Sequence, residues 1–252
     1  AAGEKITQMT AYDFTTAGII DAAGIDSILV GDSASNVMAG NQDTTPITVD
    51  QMIYHARAVV RACHHCLVVC DMPFGSYQVS REDGIRNAIR IIKETGAGAV
   101  KMEGGKEIAD TVKGIVDAGI PVIGHLGLTP QSIHKFGGYG LRAKEDTEAE
   151  KLIEDALALD AAGVSGITLE KVPAALANKV TAMVKAATIG IGAGNGTDGQ
   201  VLVYADALGM TSGFKPKFLR HFANVNKCMT EGVMEYIRCV KSESFPSEAE
   251  SY

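Results

Sequence analysis

The chain has 252 residues, of which 46% are hydrophobic and 21% charged, and its formal net charge is −7. This composition is that of an ordinary globular protein, and the length suits one α/β barrel. No stripe of lysine and arginine with interleaved aromatic residues appears, so the pattern does not favour a nucleic-acid-binding protein. No apolar run reaches the ~18 residues of a membrane span, and no charged-then-apolar leader with a cleavage site is visible. We therefore expect neither nucleic acid nor a membrane as a partner.

Strand-like and helix-like segments alternate along the chain. Eight apolar strands are predicted, at Ile6–Thr10, Ser27–Gly31, Cys66–Cys70, Ala99–Met102, Pro121–Gly124, Gly166–Leu169, Thr188–Ile191 and Val201–Ala205. The helices predicted between them are Val49–Ala62, Glu82–Thr95, Lys106–Ala118, Glu148–Ala162 and Pro173–Val184. Strands that are apolar throughout are typical of a parallel sheet buried on both faces. Eight repeats favour a closed (β/α)₈ TIM barrel as a single domain over residues 1–252, with a polar tail over about 241–252; an open doubly wound sheet is the alternative.

Acidic side chains follow the second, third and fourth predicted strands, as Asp32, Asp71 and Glu103. The carboxyl ends of parallel strands meet on one face, so we expect these carboxylates to surround one point. Oxygen ligands favour a hard cation, most simply Mg²⁺, with Mn²⁺ or Co²⁺ as substitutes. The alternative for each residue is that it caps the helix that follows its strand.

Three further polar residues lie at strand ends. Lys101 and Glu103 are two residues apart, so they point to the same side of one strand, where Lys101 can hold a substrate carboxylate or a developing oxyanion. His125 follows the fifth strand, although a lone histidine is more often structural than catalytic. Glu170 ends the sixth strand away from the three carboxylates, which leaves it free to act as a general base. A surface ion pair with Lys171 is the alternative for Glu170.

Five cysteines are scattered along the chain: Cys63, Cys66, Cys70, Cys228 and Cys239. An odd number over this length is typical of reduced thiols in an intracellular protein, so we expect a cytoplasmic location. The run Cys63-His64-His65-Cys66 offers the ligand types of zinc. Four ligands within four residues do not readily surround one tetrahedral ion, so we interpret this run as a loop that leads into the strand at Leu67.

A glycine-rich run from Gly190 to Gly196 has two interpretations. Barrels often bind phosphate near their last strands, and glycines allow the backbone to approach a ligand closely. The run lacks the Lys-Ser/Thr ending of a nucleotide-binding loop and the spacing of a dinucleotide-binding loop. Close packing or a tight turn explains it equally well.

The chain resembles the ketopantoate hydroxymethyltransferase family in motifs that run in the family's order over nearly its whole length. The matching stretches are Thr10-Ala11-Tyr12-Asp13, Val30-Gly31-Asp32-Ser33, Asp71-Met72-Pro73-Phe74, Val100-Lys101-Met102-Glu103-Gly104-Gly105, Gly124-His125-Leu126-Gly127-Leu128-Thr129-Pro130-Gln131-Ser132, Phe136-Gly137-Gly138-Tyr139, Leu169-Glu170 with Val172-Pro173, Ile189-Gly190-Ile191-Gly192-Ala193-Gly194 and Pro216-Lys217-Phe218. The stretch from Gly124 to Ser132 is the most specific.

The resemblance implies a (β/α)₈ enzyme of the phosphoenolpyruvate/pyruvate type that assembles as a homo-oligomer, typically a decamer. The activity it implies is transfer of a one-carbon unit from 5,10-methylenetetrahydrofolate to 3-methyl-2-oxobutanoate, which gives 2-dehydropantoate on the route to pantothenate and coenzyme A. The family's Mg²⁺ ligands fall on Asp32, Asp71 and Glu103. Its substrate contacts fall on Asp32, Ser33, Asp71 and Lys101, its active-site histidine on His125 and its proton acceptor on Glu170.

The chain departs from the family's pattern at two internal places, and the residues leave two other functions open. The loop Gly40–Thr48 differs from the family's usual run, and Ala187-Thr188 replaces the proline that precedes the glycine-rich run. One alternative is a related metal-dependent lyase or mutase acting on 2-oxo acids, but no cysteine lies in the reactive loop motif of the lyases. The other is a catalytically silent barrel that serves as an oligomeric scaffold, which the presence of Asp71 and Glu170 disfavours.

Overall fold

Eight parallel strands close into a barrel in the computed structural model, which describes residues 3–213 and 215–252. The strands are β1 (Ile6–Thr10), β2 (Ser27–Val30), β3 (Leu67–Asp71), β4 (Ala99–Glu103), β5 (Val122–Gly127), β6 (Gly166–Glu170), β7 (Ala187–Ile191) and β8 (Gly199–Leu202). Each strand pairs with the next one along the chain, and β8 pairs with β1, so the sheet has no free edge. The predicted closed barrel is confirmed, and the open doubly wound alternative is wrong.

Helices follow most of the strands. They are α1 (Phe14–Ala22), α2 (Ala34–Val37), α3 (Val49–Ala62), α4 (Arg81–Thr95), α5 (Ala109–Asp117), α6 (Ile133–Phe136), α7 (Asp146–Ala162), α8 (Ala174–Met183), α9 (Tyr204–Ala207) and α10 (Val225–Lys241). The start of α3 shows why such boundaries were predictable from sequence. The hydroxyl of Thr48 accepts the N–H of Gln51, and the side chain of Gln51 accepts the N–H of Thr48, which makes a capping box.

The predicted eighth strand, Val201–Ala205, is wrong in position. The strand is Gly199–Leu202, and the chain from Tyr204 onward turns into the helix α9. Gly199 pairs with Ile6 of β1, where an added Cβ would lie 2.5 Å from the Ile6 carbonyl oxygen. The strand therefore begins with a glycine, which has a low strand propensity, because β1 leaves no room for a side chain there.

Apolar side chains fill part of the barrel. Buried residues from five strands pack together as one cluster, made of Leu29, Val69, Ala99, Ile189 and Val201. Polar residues occupy the carboxyl ends of the central strands, and the register sets them side by side. Asp71 pairs with Lys101, and Glu103 pairs with His125.

The chain divides into two compact units, residues 3–203 and residues 204–252. The first contains the barrel. The second contains α9, α10 and the segment 242–252, whose residues are exposed. The single-domain organisation over residues 1–252 stays a prediction. None of the helices in the described part of the chain combines the length and the apolar character that crossing a membrane requires.

Candidate active site

The predicted site residues lie at the carboxyl ends of β2 to β6. Five of the seven are buried, Ser33 is half-buried, and the side chain of Glu170 keeps an exposed fraction of 17%. The buried residues are Asp32, Asp71, Lys101, Glu103 and His125. Side chains that are distant in the sequence therefore meet at one end of the barrel, as the strand-end pattern predicts.

A continuous series of polar contacts joins four strands of the barrel. The Nζ atom of Lys101 lies 2.9 Å from Oδ1 of Asp71 and 3.3 Å from Nδ1 of His125. The same imidazole nitrogen lies 3.2 Å from Oε1 of Glu103, and its other nitrogen lies 3.2 Å from Oε2 of Glu170. Glu170 is therefore linked to the other carboxylates of the site through His125.

The neighbouring charges keep both basic groups of this series protonated. Burial lowers the pKa of Lys101, but the carboxylates around it, chiefly Asp71 and Glu103, outweigh burial and raise the pKa above its ordinary value. Burial and the charge of Lys101 lower the pKa of His125, but Glu103 and Glu170 raise it to about 9. The site therefore holds a permanent ammonium group and a basic imidazole away from water.

The carboxylates outnumber these cations, and this excess suits a divalent ion. Burial, followed by the charges of Asp71 and Glu103, raises the pKa of Asp32 well above its ordinary value. Three carboxylates with oxygen ligands fit Mg²⁺ in charge and in donor type. The oxygens of Asp32, Asp71 and Glu103 are not all within 4.8 Å of one another among the described residues. The three carboxylates would therefore have to move closer together to bind one shared ion.

Gln131 and Tyr77 support the carboxylates, and the sequence reasoning assigned them no role. The Nε2 atom of Gln131 donates to Oδ2 of Asp32 (2.8 Å) and to the carbonyl of Met72 (3.0 Å). The main-chain N–H of Gln131 donates to Oε2 of Glu103 (2.8 Å), and the hydroxyl of Tyr77 donates to Oε1 of Gln131 (2.8 Å). Groups that hold carboxylates in this way are common around metal sites, where they orient the ligands. The only signal in the sequence was that Gln131 lies within the specific motif from Gly124 to Ser132.

Main-chain contacts fix the position of Asp71 relative to β2. Its Oδ2 atom accepts the N–H of Asp32 (2.9 Å), while its Oδ1 atom faces Lys101. The neighbouring Ser33, which is half-buried, shares a hydrogen bond of 2.7 Å with the hydroxyl of Tyr12. Ser33 therefore lies at the same end of the barrel, next to the carboxylates.

The glycine-rich run packs closely against α8. A Cβ atom on Gly194, whose φ is 80°, would lie 2.5 Å from Cβ of Ala174, and a Cβ atom on Gly196 would lie 1.7 Å from Oδ1 of Asn178. Close packing, the second of the two interpretations, accounts for both glycines.

A cavity of about 550 Å³ opens beside the buried carboxylates. Glu103, Tyr77 and Gln131 form part of its wall. Arg142 also lines it and lies over the ring of Phe136, 3.9 Å from the ring centroid. The cavity therefore offers space for a second reactant adjacent to the polar centre.

The family model of ketopantoate hydroxymethyltransferase matches residues 1–248. The chain belongs to the ketopantoate hydroxymethyltransferase family. It is 60% identical to the 3-methyl-2-oxobutanoate hydroxymethyltransferase of Flavobacterium johnsoniae and 59% identical to that of Bacteroides fragilis. Each comparison covers 250 residues, which is 99% of this chain and 92% of the relative. The resemblance seen in the sequence motifs is thereby confirmed.

Solved structures show that this ketopantoate hydroxymethyltransferase family member shares its fold with a wider group. A phosphonopyruvate hydrolase matches with a TM-score of 0.63 and 12% identity, covering 99% of this chain and 89% of the other. A 2,3-dimethylmalate lyase, a member of the PEP mutase/isocitrate lyase superfamily, matches with a TM-score of 0.62 and 14% identity, covering 97% and 85%. At these identities the likeness shows the fold alone, and it confirms the predicted (β/α)₈ barrel.

Proposed function

We propose that this chain is a 3-methyl-2-oxobutanoate hydroxymethyltransferase, with 5,10-methylenetetrahydrofolate as the one-carbon donor and 2-dehydropantoate and tetrahydrofolate as products. The observation that carries the proposal is the series of contacts through Asp71, Lys101, His125 and Glu170. This series joins the carboxylates that would bind a cation to Glu170, the candidate base. The relatives at 60% and 59% identity carry the name of this activity.

Asp32, Asp71 and Glu103 would hold a divalent cation, most simply Mg²⁺. When bound, the ion supplies Lewis acidity to the oxygens of the 2-oxo acid, which makes the adjacent C3–H bond more acidic. Gln131 keeps Asp32 and Glu103 oriented through its amide and its main-chain N–H. Ser33, next to Asp32, supplies a hydroxyl group that contacts the substrate.

Glu170 accepts the proton from C3 of the substrate. Its side chain is 17% exposed, so it can reach a bound ligand, while His125 lies 3.2 Å from one of its oxygens. The ammonium group of Lys101 stabilises the negative charge that develops on the enolate oxygen. The enolate carbon then attacks the methylene carbon of the folate, and the new C–C bond forms as the first C–N bond to the folate breaks. Water then replaces the second folate nitrogen at the same carbon, which supplies the hydroxyl group of 2-dehydropantoate and releases tetrahydrofolate.

The cavity next to Glu103 suits the folate. Lys135, Arg142 and Lys151 line it. Ion pairs with Glu148 and Asp155 already balance the charges of Arg142 and Lys151, so Lys135 is the group that can meet a carboxylate of a folate. The stacked pair of Arg142 and Phe136 offers a flat surface for a heterocycle. Assembly as a homo-oligomer, typically a decamer, and a cytoplasmic location stay predictions.

The test is exchange of the C3 proton of 3-methyl-2-oxobutanoate with solvent, followed by NMR in D₂O with and without Mg²⁺. We expect Mg²⁺-dependent exchange in the parent protein, and 2-dehydropantoate once tetrahydrofolate and formaldehyde are added. Glu170→Gln should keep binding of the 2-oxo acid and abolish exchange. Glu154→Gln, on the exposed face of α7, is the matched control and should exchange like the parent. Normal exchange in Glu170→Gln contradicts the assignment of the base.

A further inference from the structure

A second group of ligating side chains lies at the end of the barrel where the strands begin, opposite the candidate active site. It consists of Asp21 in the last turn of α1, and of Cys63 and Cys66 in the loop between α3 and β3. One ligand atom from each lies within 4.8 Å of the other two. We call this group the thiol cluster. Among residues 3–213 and 215–252, no other group of three or more His, Cys, Asp or Glu side chains meets this distance.

Asp21 removes the geometric objection to a metal site in the run from Cys63 to Cys66. Four adjacent residues do not readily surround one ion, but a carboxylate from α1 adds a ligand from outside the run. Asp21 is buried, and its oxygens accept the N–H groups of His64 (2.9 Å), His65 (3.2 Å) and Cys66 (3.0 Å). The loop is thus folded around the carboxylate before any ion binds.

The imidazole of His65 is a candidate for the fourth ligand, although it lies outside the group of three that meets the 4.8 Å distance. Its Nδ1 atom lies 3.2 Å from Oδ2 of Asp21. Two ligand atoms bound at about 2.0 Å to one tetrahedral zinc ion are separated by about 3.3 Å, so this pair already has the required spacing. The His65 side chain is 79% exposed.

Both cysteines carry free thiols that can exchange their protons for a cation. Their sulfur atoms lie within 4.8 Å of each other and of a carboxylate oxygen of Asp21. A divalent ion that binds the two sulfur atoms releases two protons to solvent, so the total charge of the thiol cluster stays the same. Thiolate sulfur, imidazole nitrogen and one carboxylate oxygen favour zinc-like ions over Mg²⁺, which prefers oxygen ligands alone.

We propose that Asp21, Cys63, His65 and Cys66 bind a thiophilic divalent cation of the zinc class. The ion would tie the end of α1 to the entry of β3 and is separate from the oxygen-ligand site at the other end of the barrel. This inference goes beyond the proposed function, because neither its geometry nor its test depends on the reaction.

Co²⁺ titration of the metal-free full-length protein tests this proposal, with excess Mg²⁺ present to fill sites made of oxygen ligands. We expect a thiolate-to-cobalt charge-transfer absorption that saturates at one ion per chain and disappears when Zn²⁺ is added. Cys63→Ser keeps every Asp21 hydrogen bond to the loop and should abolish the absorption. Cys228→Ser, an exposed cysteine of the second unit, is the matched control and should bind like the parent.

Further variants separate the ligand roles. His65→Ala should weaken Co²⁺ binding about 10- to 100-fold without abolishing the sulfur absorption, a loss in the range reported for perturbed metal sites. Unfolding temperature measured with and without Zn²⁺ should rise in the parent and not in Cys63→Ser. No thiolate absorption in the parent, or equal absorption in Cys63→Ser, overturns the proposal.

Discussion

Gln131 is the residue whose replacement best separates support of the carboxylates from the chemistry itself. Gln131→Met keeps the length and bulk of the side chain but removes the amide that donates to Oδ2 of Asp32 at 2.8 Å. A hydrogen bond to a charged group contributes about 1.5–3 kcal/mol, and each 1.4 kcal/mol is about tenfold in affinity. Mg²⁺ affinity should therefore fall about 10- to 100-fold. The main-chain bond to Glu103 is retained, which makes complete loss of the site unexpected.

Calorimetric titration of Mg²⁺ in the presence of 3-methyl-2-oxobutanoate measures this loss, with the unfolding temperature followed in parallel. Gln78→Met is the matched control, because the Gln78 amide donates to Oε1 of Gln131 at 3.2 Å and, among residues 3–213 and 215–252, to no carboxylate. It should change Mg²⁺ affinity far less than Gln131→Met. Unchanged affinity in Gln131→Met, or equal losses in both variants, refutes the supporting role.

Two further substitutions test the buried charges and the close packing. Lys101→Met leaves the carboxylate of Asp71 buried without its partner and should reduce the free energy of unfolding in urea by about 3–5 kcal/mol. Added Mg²⁺ should recover part of this loss. A loss below about 1 kcal/mol, the range of exposed ion pairs, contradicts the prediction. Gly105→Ala would place a Cβ atom 2.1 Å from Cγ of Asp155 and should lower the unfolding temperature. Gly232→Ala, with nothing within 4 Å inside the exposed helix α10, should instead raise stability by about 1 kcal/mol; similar effects from both alanines would contradict the packing argument.

The sequence predicted which residues lie at strand ends but not how they pair. Asp71, Lys101 and His125 were identifiable because each interrupts or ends an apolar strand, and parallel strands gather their carboxyl ends on one face. Which residues become neighbours depends on the stagger between strands. That stagger is a property of the closed barrel, in which Asp71 lies beside Lys101.

Other features escaped the sequence because their causes are tertiary. The helix α10 was not predicted, although Asn224 caps its first turn. Gln131 was read as part of a motif only, since its amide meets Asp32 across 99 residues of chain. Asp21 gave no signal either, because its part in the cysteine loop depends on how α1 packs next to β3.

The charges of the candidate site also explain why a lysine is buried in it. Its carboxylates are Asp32, Asp71, Glu103 and Glu170, and its cationic groups are Lys101 and His125. The carboxylates exceed the cations by two, and burial strengthens their mutual repulsion. A bound divalent cation would balance that excess. The carboxylate of a 2-oxo acid would then add one more negative charge, which Lys101 can offset because the surrounding carboxylates raise its pKa.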